Sequence, residues 1–289
     1  MSDARDEAPF LSVDDLERLC AFVYAATGMM FGESKRYYID RRIAQRMNSA
    51  GVTSFAAYMS ALRRDPREVE QLINSFTVNE TYFYREEHQL RCLSRSLLPE
   101  IVATRKPGDR VRIWSVPCAT GEEPYSIAIW LLENWRMVDA YNIEIVASDI
   151  DTRVIADALV GEYGARALAH LPANVVATYF RPAGEGRWRI IDDIKESVGF
   201  SQVNLVDGAK LRELGAFDVI FCRNLLIYFD EASRLTAANN LHDRLNPGGF
   251  VCLGHTESMA RILTSFETRR FEDATVFQRG AVPKAAAAS

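Results

Sequence analysis

Residues 115–126 read Ser-Val-Pro-Cys-Ala-Thr-Gly-Glu-Glu-Pro-Tyr-Ser, set between an apolar strand-like run, Val111 to Trp114, and an amphipathic helical run, Tyr125 to Trp135. A strand that turns directly into a helix is the ligand corner of an open α/β sheet. Gly121 allows the backbone to approach a ligand closely. The two residues that follow, Glu122 and Glu123, are acids. Carboxylates are the wrong choice for cradling phosphate. They suit a ligand that offers hydroxyls, an amine or a positive charge.

The rest of the chain agrees with such a sheet from residue 111 onward. Strand-like runs at Val111–Val116, Ile143–Ser148, Val198–Asn204, Phe217–Cys222, Phe250–Gly254 and Thr275–Arg279 alternate with helical ones. That alternation predicts a mostly parallel α/β sheet. The helix expected at Glu231–Leu245 stops at the turn Asn246-Pro247-Gly248-Gly249. Segment 161–200 fits the alternation poorly and reads as a small inserted β subdomain, with a helix near Pro172–Phe180 and a strand at Trp188–Ile191.

Residues 11–90 read as helical. Ser12 is the expected cap of a helix carrying Leu16, Leu19, Phe22 and Val23, and further helices follow at Glu33–Ser49, after Thr53, and at Pro66–Phe76. The resulting division is a helical domain at 1–78, a linker and first helix lining the cleft at 79–110, an α/β domain at 111–280, and a disordered Ala-rich tail at 281–289.

With 289 residues, 48% of them hydrophobic, the chain can bury a real core. A net charge of −5 argues against nucleic acid as a partner. No apolar run approaches a membrane span, and the charged N-terminus lacks a signal-peptide core, so no membrane insertion and a cytoplasmic location are expected. Five cysteines lack CxxC spacing and read as reduced packing residues. Four histidines show no metal-ligand spacing.

Three further stretches sharpen the ligand. Ala147-Ser148-Asp149-Ile150-Asp151 places an acid at the end of the second strand, where such folds grip ribose hydroxyls. Asp151 reads as the cap of the next helix and Asp149 as the ligand contact. Asp149 lies further from Gly121 than a dinucleotide site would have it, and G-x-G-x-x-G is absent, which favours a mononucleoside. S-adenosylmethionine (SAM) brings hydroxyls, an amine and a positive charge together. Phe217–Cys222 ends in Arg223-Asn224, which places both over the cleft, with Tyr228 a turn further on. Finally, Asn79-Glu80-Thr81-Tyr82-Phe83-Tyr84-Arg85-Glu86 mixes polar and aromatic residues without a period and reads as a cleft wall, with Arg85 turned inward.

The set NETYFYRE, SVPCATGEEPYSIA, ASDID, SQVNL, FCRNLLIYF and GHTES resembles the CheR-type chemotaxis receptor methyltransferases over residues 11–280. The resemblance implies a SAM-binding Rossmann-like α/β domain, a small all-helical N-terminal domain and an inserted antiparallel β subdomain. It implies transfer of the SAM methyl to glutamate side chains of methyl-accepting chemoreceptors, giving methyl esters and S-adenosylhomocysteine. Matched by motif, the cofactor contacts are Asn79, Thr81, Arg85, Glu122 (or Glu123), Asp149, Asn204, Leu205, Arg223 and Asn224. Two departures stand out: Pro117-Cys118 and Tyr82, where the family has smaller residues.

A carboxylate acceptor is already ionised at neutral pH and needs no base. Such a site must supply alignment. Arg85 is the candidate to orient the acceptor and Tyr228 to touch the methyl or the acceptor oxygen. On the second helix, Arg42 and Arg46 share a face, expected to hold the receptor's cytoplasmic coiled coil. The short loop Arg181–Gly186 suggests an enzyme that needs no pentapeptide tether. The competing readings are a non-catalytic SAM-binding regulator, and a methyltransferase of a related signalling array or of another acid.

Overall fold

The computed structural model describes residues 10–280 except 260, 261, 263 and 264. The tail at 281–289, expected to be disordered, lies outside the described residues. The chain forms two compact units: one runs to Val78 and takes in Tyr228–Asp230, and the other holds the remainder.

The first unit contains α1 (Val13–Thr27), α2 (Arg36–Ser49), α3 (Phe55–Leu62) and α4 (Pro66–Phe76). Ser12 caps α1 by accepting the Asp15 amide, and Gly28 ends it at φ 74°, the left-handed conformation glycine adopts without penalty. A 3-10 turn at Glu33–Lys35 precedes α2. The cap of α3 is Ser54, one residue past the expected Thr53, because its hydroxyl reaches the Ala57 amide. Asp65 caps α4, and Pro66 sits in the first turn, where its missing amide costs nothing. Leu19, Val23, Ile39, Ile43, Tyr58, Leu72 and Phe76 fill the shared core. Residues 228–230 complete this unit. Met30 donates its amide to the Tyr228 carbonyl at 2.9 Å, and the Tyr24 hydroxyl donates to Asp230 at 3.0 Å.

The second unit opens with a helical run made of α5 (Glu87–Cys92), a π-turn at Leu93–Leu97, and α6 (Leu98–Val102). Its strands are β1 (Arg110–Ser115), β2 (Asn142–Asp149), β3 (Glu162–Gly164), β4 (Phe180–Gly184), β5 (Arg187–Ile190), β6 (Val198–Gln202), β7 (Phe217–Cys222), β8 (Leu245–Leu253), β9 (Phe266–Arg270) and β10 (Thr275–Arg279). Seven of them form one sheet in the order β6-β2-β1-β7-β8-β10-β9. The first five are parallel, and β10 runs antiparallel to β8 and β9. The strand order reverses between β1 and β7, so the ligand crevice is expected outside their carboxyl ends. Every residue of β7 is buried, as a central strand covered on both faces requires. β1 leads into α7 (Glu122–Asn134), and β2 leads into α8 (Thr152–Val160).

A second, antiparallel sheet, β3-β5-β4, makes up the inserted subdomain, and β4 and β5 are joined by the turn Glu185-Gly186. Two local expectations fail. Asn246-Pro247-Gly248-Gly249 does not end in a free turn: it lies within β8, and the pairing to β7 slips between Phe217 and Val219 to absorb it. The edge strand β9 had no signal, because Phe266-Glu-Thr-Arg-Arg carries one apolar residue and faces mostly outward.

Candidate functional site

The carboxyl ends of β1, β2, β6 and β7 bring together most of the residues singled out from the sequence. Beyond β1 the chain passes through Val116–Thr120 to Gly121, which caps α7 at φ 93°. A side chain at Gly121 would meet the Tyr125 ring at 2.9 Å and Ala158 at 3.0 Å, so only glycine fits there. α7 then starts on Glu122 and Glu123, acids at the end of a helix that favours negative charge.

The two acids have different surroundings. Glu123 accepts from the Ser115 hydroxyl at 2.7 Å and pairs with the Nε of buried Arg223. Glu122 is buried too, yet it accepts from the Thr120 hydroxyl, at 2.6 Å, and from its own backbone amide, and pairs with no cation among the described residues. Burial pushes its carboxyl above the usual range.

Asp149, at the end of β2, is 2% exposed. It accepts the Ala119 amide at 2.9 Å and the Asp151 amide at 3.0 Å, which ties the β1 loop to β2. Those backbone donors only partly offset its burial, and the carboxyl is pushed up to about 6. Asp151 caps α8 by accepting the Arg153 amide, and it also takes a hydrogen bond from Asn79 Nδ2 at 3.0 Å. Asn79 and Thr81 line a cleft of about 820 Å3 with Glu80, Tyr82, Arg166 and His170. The rings of Tyr82 and His170 meet there at 4.7 Å. Past β6, Asn204 accepts the Val206 amide at 3.2 Å, and Leu205 buries its side chain while its carbonyl takes Asn240 Nδ2 at 2.8 Å.

Arg223 needs a correction. Its place after β7 suggests a group over the cleft, but the guanidinium turns inward. Beyond its pairing with Glu123, Nη1 donates to the Arg85 carbonyl at 2.7 Å and lies 3.8 Å from Glu86. A buried arginine between two carboxylates is held by charge, so here it acts as a strut between β7, α7 and the 84–86 turn. Arg85 itself donates Nη1 to the Glu80 carbonyl at 2.7 Å and lies 5.8 Å from the Tyr82 ring centre. Four of the five described non-glycine residues at positive φ lie on these loops: Tyr84, Glu86, Ala119 and Asn224. Side chains rarely adopt that conformation, and it collects at binding sites.

In the helical unit, Arg42 stacks over the Tyr38 ring at 4.7 Å. Arg46 is not available as its partner on a docking face. It makes a two-pronged pair with Glu68, at 3.0 and 2.6 Å, and the Tyr58 hydroxyl donates to the same carboxylate at 2.6 Å. Tyr228 is grouped with this unit.

Sequence reasoning missed Ser115, Glu86, Gln89 and Glu257, which complete the polar network. Gln89 Nε2 donates to Glu86 at 2.8 Å and to the Leu253 carbonyl at 2.6 Å. For Glu257 a signal existed: an acid just past the end of β8, the same logic that picked out Asp149.

A seven-stranded sheet of this order, with carboxylates but no phosphate loop at its switch point, defines a SAM-dependent methyltransferase. The model of the CheR methyltransferase SAM binding domain matches residues 79–274, and that of the CheR methyltransferase all-alpha domain matches 14–77. The chain belongs to the CheR methyltransferase family. It is 46% identical to chemotaxis protein methyltransferase 2 of Vibrio cholerae, over 92% of both chains. It is 36% identical to chemotaxis protein methyltransferase 2 of Pseudomonas aeruginosa, over 85% of this chain and 86% of the relative. It is 31% identical to chemotaxis protein methyltransferase Cher2 of Pseudomonas putida, over 91% and 97%. The cofactor is SAM, and the site fits it: two buried carboxylates, Glu122 and Asp149, lack a cation and can take hydroxyl or ammonium donors. No helix among the described residues is long and apolar enough to cross a membrane.

Proposed function

We propose that the acceptor atom in the chemoreceptors this enzyme methylates is a glutamate side-chain oxygen, so that the products are a glutamate methyl ester and S-adenosylhomocysteine. The observation that carries the reading is the chain's match to the CheR methyltransferase family and its chemotaxis relatives, and the buried carboxylates Glu122 and Asp149, without a cation among the described residues, support the cofactor half of it. Bound SAM supplies a methyl group on a sulfonium whose departing thioether needs no proton.

The protein's task is then to align and to desolvate. Asp149 is the candidate for the ribose hydroxyls and Glu122 for a second donor of the cofactor. Glu123 is held by Arg223 and Ser115, which leaves Glu122 as the acid of choice. Asn79, Thr81, Asn204 and Asn224 would add polar contacts, and Leu205 would add backbone. Arg85 would orient the acceptor carboxylate through its planar fork, and Tyr228 would touch the methyl or the acceptor oxygen. The acceptor helix would belong to the receptor's cytoplasmic coiled coil and meet Arg42. We also read the enzyme as independent of a pentapeptide tether. In support, the β4–β5 turn is only Glu185-Gly186, and Pro182 withholds one amide from the edge strand β4.

The test is to mix the chain with methyl-labelled SAM and receptor signalling fragments and to trap methanol released by base. Esters release it. Stable label in the receptor would point to another acceptor, and no label would point to a non-catalytic SAM-binding regulator. Arg85→Ala, with SAM binding measured beside it, should cut turnover by about a hundredfold or more, as loss of alignment does. Unchanged turnover would remove Arg85 from the mechanism.

A further inference from the structure

Glu257 lies just beyond β8, outside every contact assigned so far. One of its carboxylate oxygens, Oε2, accepts the Asn224 amide at 2.7 Å and the Gly254 amide at 2.9 Å. It thereby fastens the loop after β7 to the end of β8. Asn224 sits at φ 59°, the left-handed region that Asn enters more readily than other L-residues, and the bond to its amide holds it there. The contact is also tight: a Cβ on Gly254 would stand 2.8 Å from Asn224 Nδ2 and 2.9 Å from Glu257 Oε2. So glycine at 254 is a condition of the arrangement. The other oxygen, Oε1, is buried without a hydrogen-bond partner among the described residues. The backbone amides of Leu226 and Ile227 face the same carboxylate, so Glu257 gathers the loop from Asn224 to Ile227. A carboxylate with one oxygen unpaired costs stability unless it holds something in place, and here it holds that loop.

We propose that Glu257 is the positioning residue that sets the left-handed backbone of Asn224 and so aims that residue at the cofactor. It touches neither SAM nor acceptor. It works by fixing a peptide that the β7 loop would otherwise relax, and Gly254 is the partner that lets it come close. The inference rests on the reading of Asn224 as a cofactor contact, and the experiment separates the two.

SAM affinity is measured by calorimetry for the full chain and for Glu257→Ala, Glu257→Gln, Gly254→Ala and Asn224→Ala, with the fold of each followed by circular dichroism. Glu257→Ala should weaken SAM binding about tenfold or more, the scale of losing a charged hydrogen bond. Glu257→Gln keeps a carbonyl oxygen for both amides and should restore most of the affinity. Gly254→Ala should reproduce the Ala effect without touching Glu257 chemically. In an Asn224→Gly background, which tolerates positive φ but lacks the side chain, Glu257→Ala should cost little more. Full additivity there would overturn the proposal, because Glu257 would then act on something else. Asn224→Ala with unchanged affinity would overturn the cofactor reading instead. Asn224→Ala weak with Glu257→Ala intact would overturn the positioning role alone.

Discussion

Both units pair buried carboxylates with cations, but among the described residues the α/β unit also leaves two of them to neutral donors. In the helical unit, Glu68 is fully answered within its own fold by Arg46 and Tyr58. Asp40 likewise accepts the amides of Phe10 and Leu11 and lies 3.7 Å from Arg36. In the α/β unit, Arg223 answers Glu123, but Asp149 and Glu122 meet only neutral donors. The first pattern holds a small core together. The second leaves carboxylates without a cation among the described residues, at some cost to the fold.

The strongest way to break this contrast is to turn the answered acid beside Glu122 into an unanswered one. Arg223→Ala leaves Glu123 buried without its cation, so the denaturation midpoint should fall by an equivalent of about 3–5 kcal/mol, and SAM binding should be lost with it. Unchanged stability would show that Glu123 is solvated despite its burial.

The next probe is acid. The folded carboxyl of Asp149 titrates at about 6, above its unfolded value, so between roughly pH 4 and 6 the folded chain holds a proton that the unfolded chain has released. The stability of the ligand-free protein should therefore rise as pH falls through that interval. SAM affinity should do the reverse and drop about tenfold per pH unit below about 6. Calorimetric titration at stepped pH reads both, and parallel rather than opposed slopes would remove Asp149 from the cofactor site.

In the helical unit, Arg46→Ala should cost about 1–3 kcal/mol of stability, because Glu68 loses its charged partner, and SAM affinity should stay as it was. A change in affinity would mean the two patterns are not separable. The smallest expected effect is Arg42→Glu. It should raise the apparent KM for receptor fragments about threefold to tenfold at low salt, less at high salt, and leave SAM binding alone.

Much of this was legible in the sequence, for local reasons. The caps Ser12 and Asp151, the first-turn Pro66 and the mostly apolar β7 announce themselves within a few residues, and the acid at the end of β2 lies where the sequence places it, beside a switch point. The pairings were not legible. Arg223 meets Glu123 across 100 positions, and Arg46 meets Glu68 across 22. Periodicity says which face a residue occupies but not which charge it finds there. That is why the sequence suggests a docking pair and a cleft arginine, where the fold stacks Arg42 on the Tyr38 ring, pairs Arg46 with Glu68 and makes Arg223 a strut. The polar edge strand β9 escaped for a related reason: it has no apolar rhythm to detect.

The left-handed residues on the loops have a consequence for anyone who would harden this enzyme. Replacing such a residue by glycine relieves its backbone while giving the unfolded chain more freedom, so the net gain depends on how strained the residue was. At Glu185, on the exposed hairpin turn, that change should be harmless to catalysis. At Tyr84, Glu86, Ala119 or Asn224 the same change would loosen the loops around the switch point. The map of tolerated glycines is therefore also a map of where this molecule has spent durability on work.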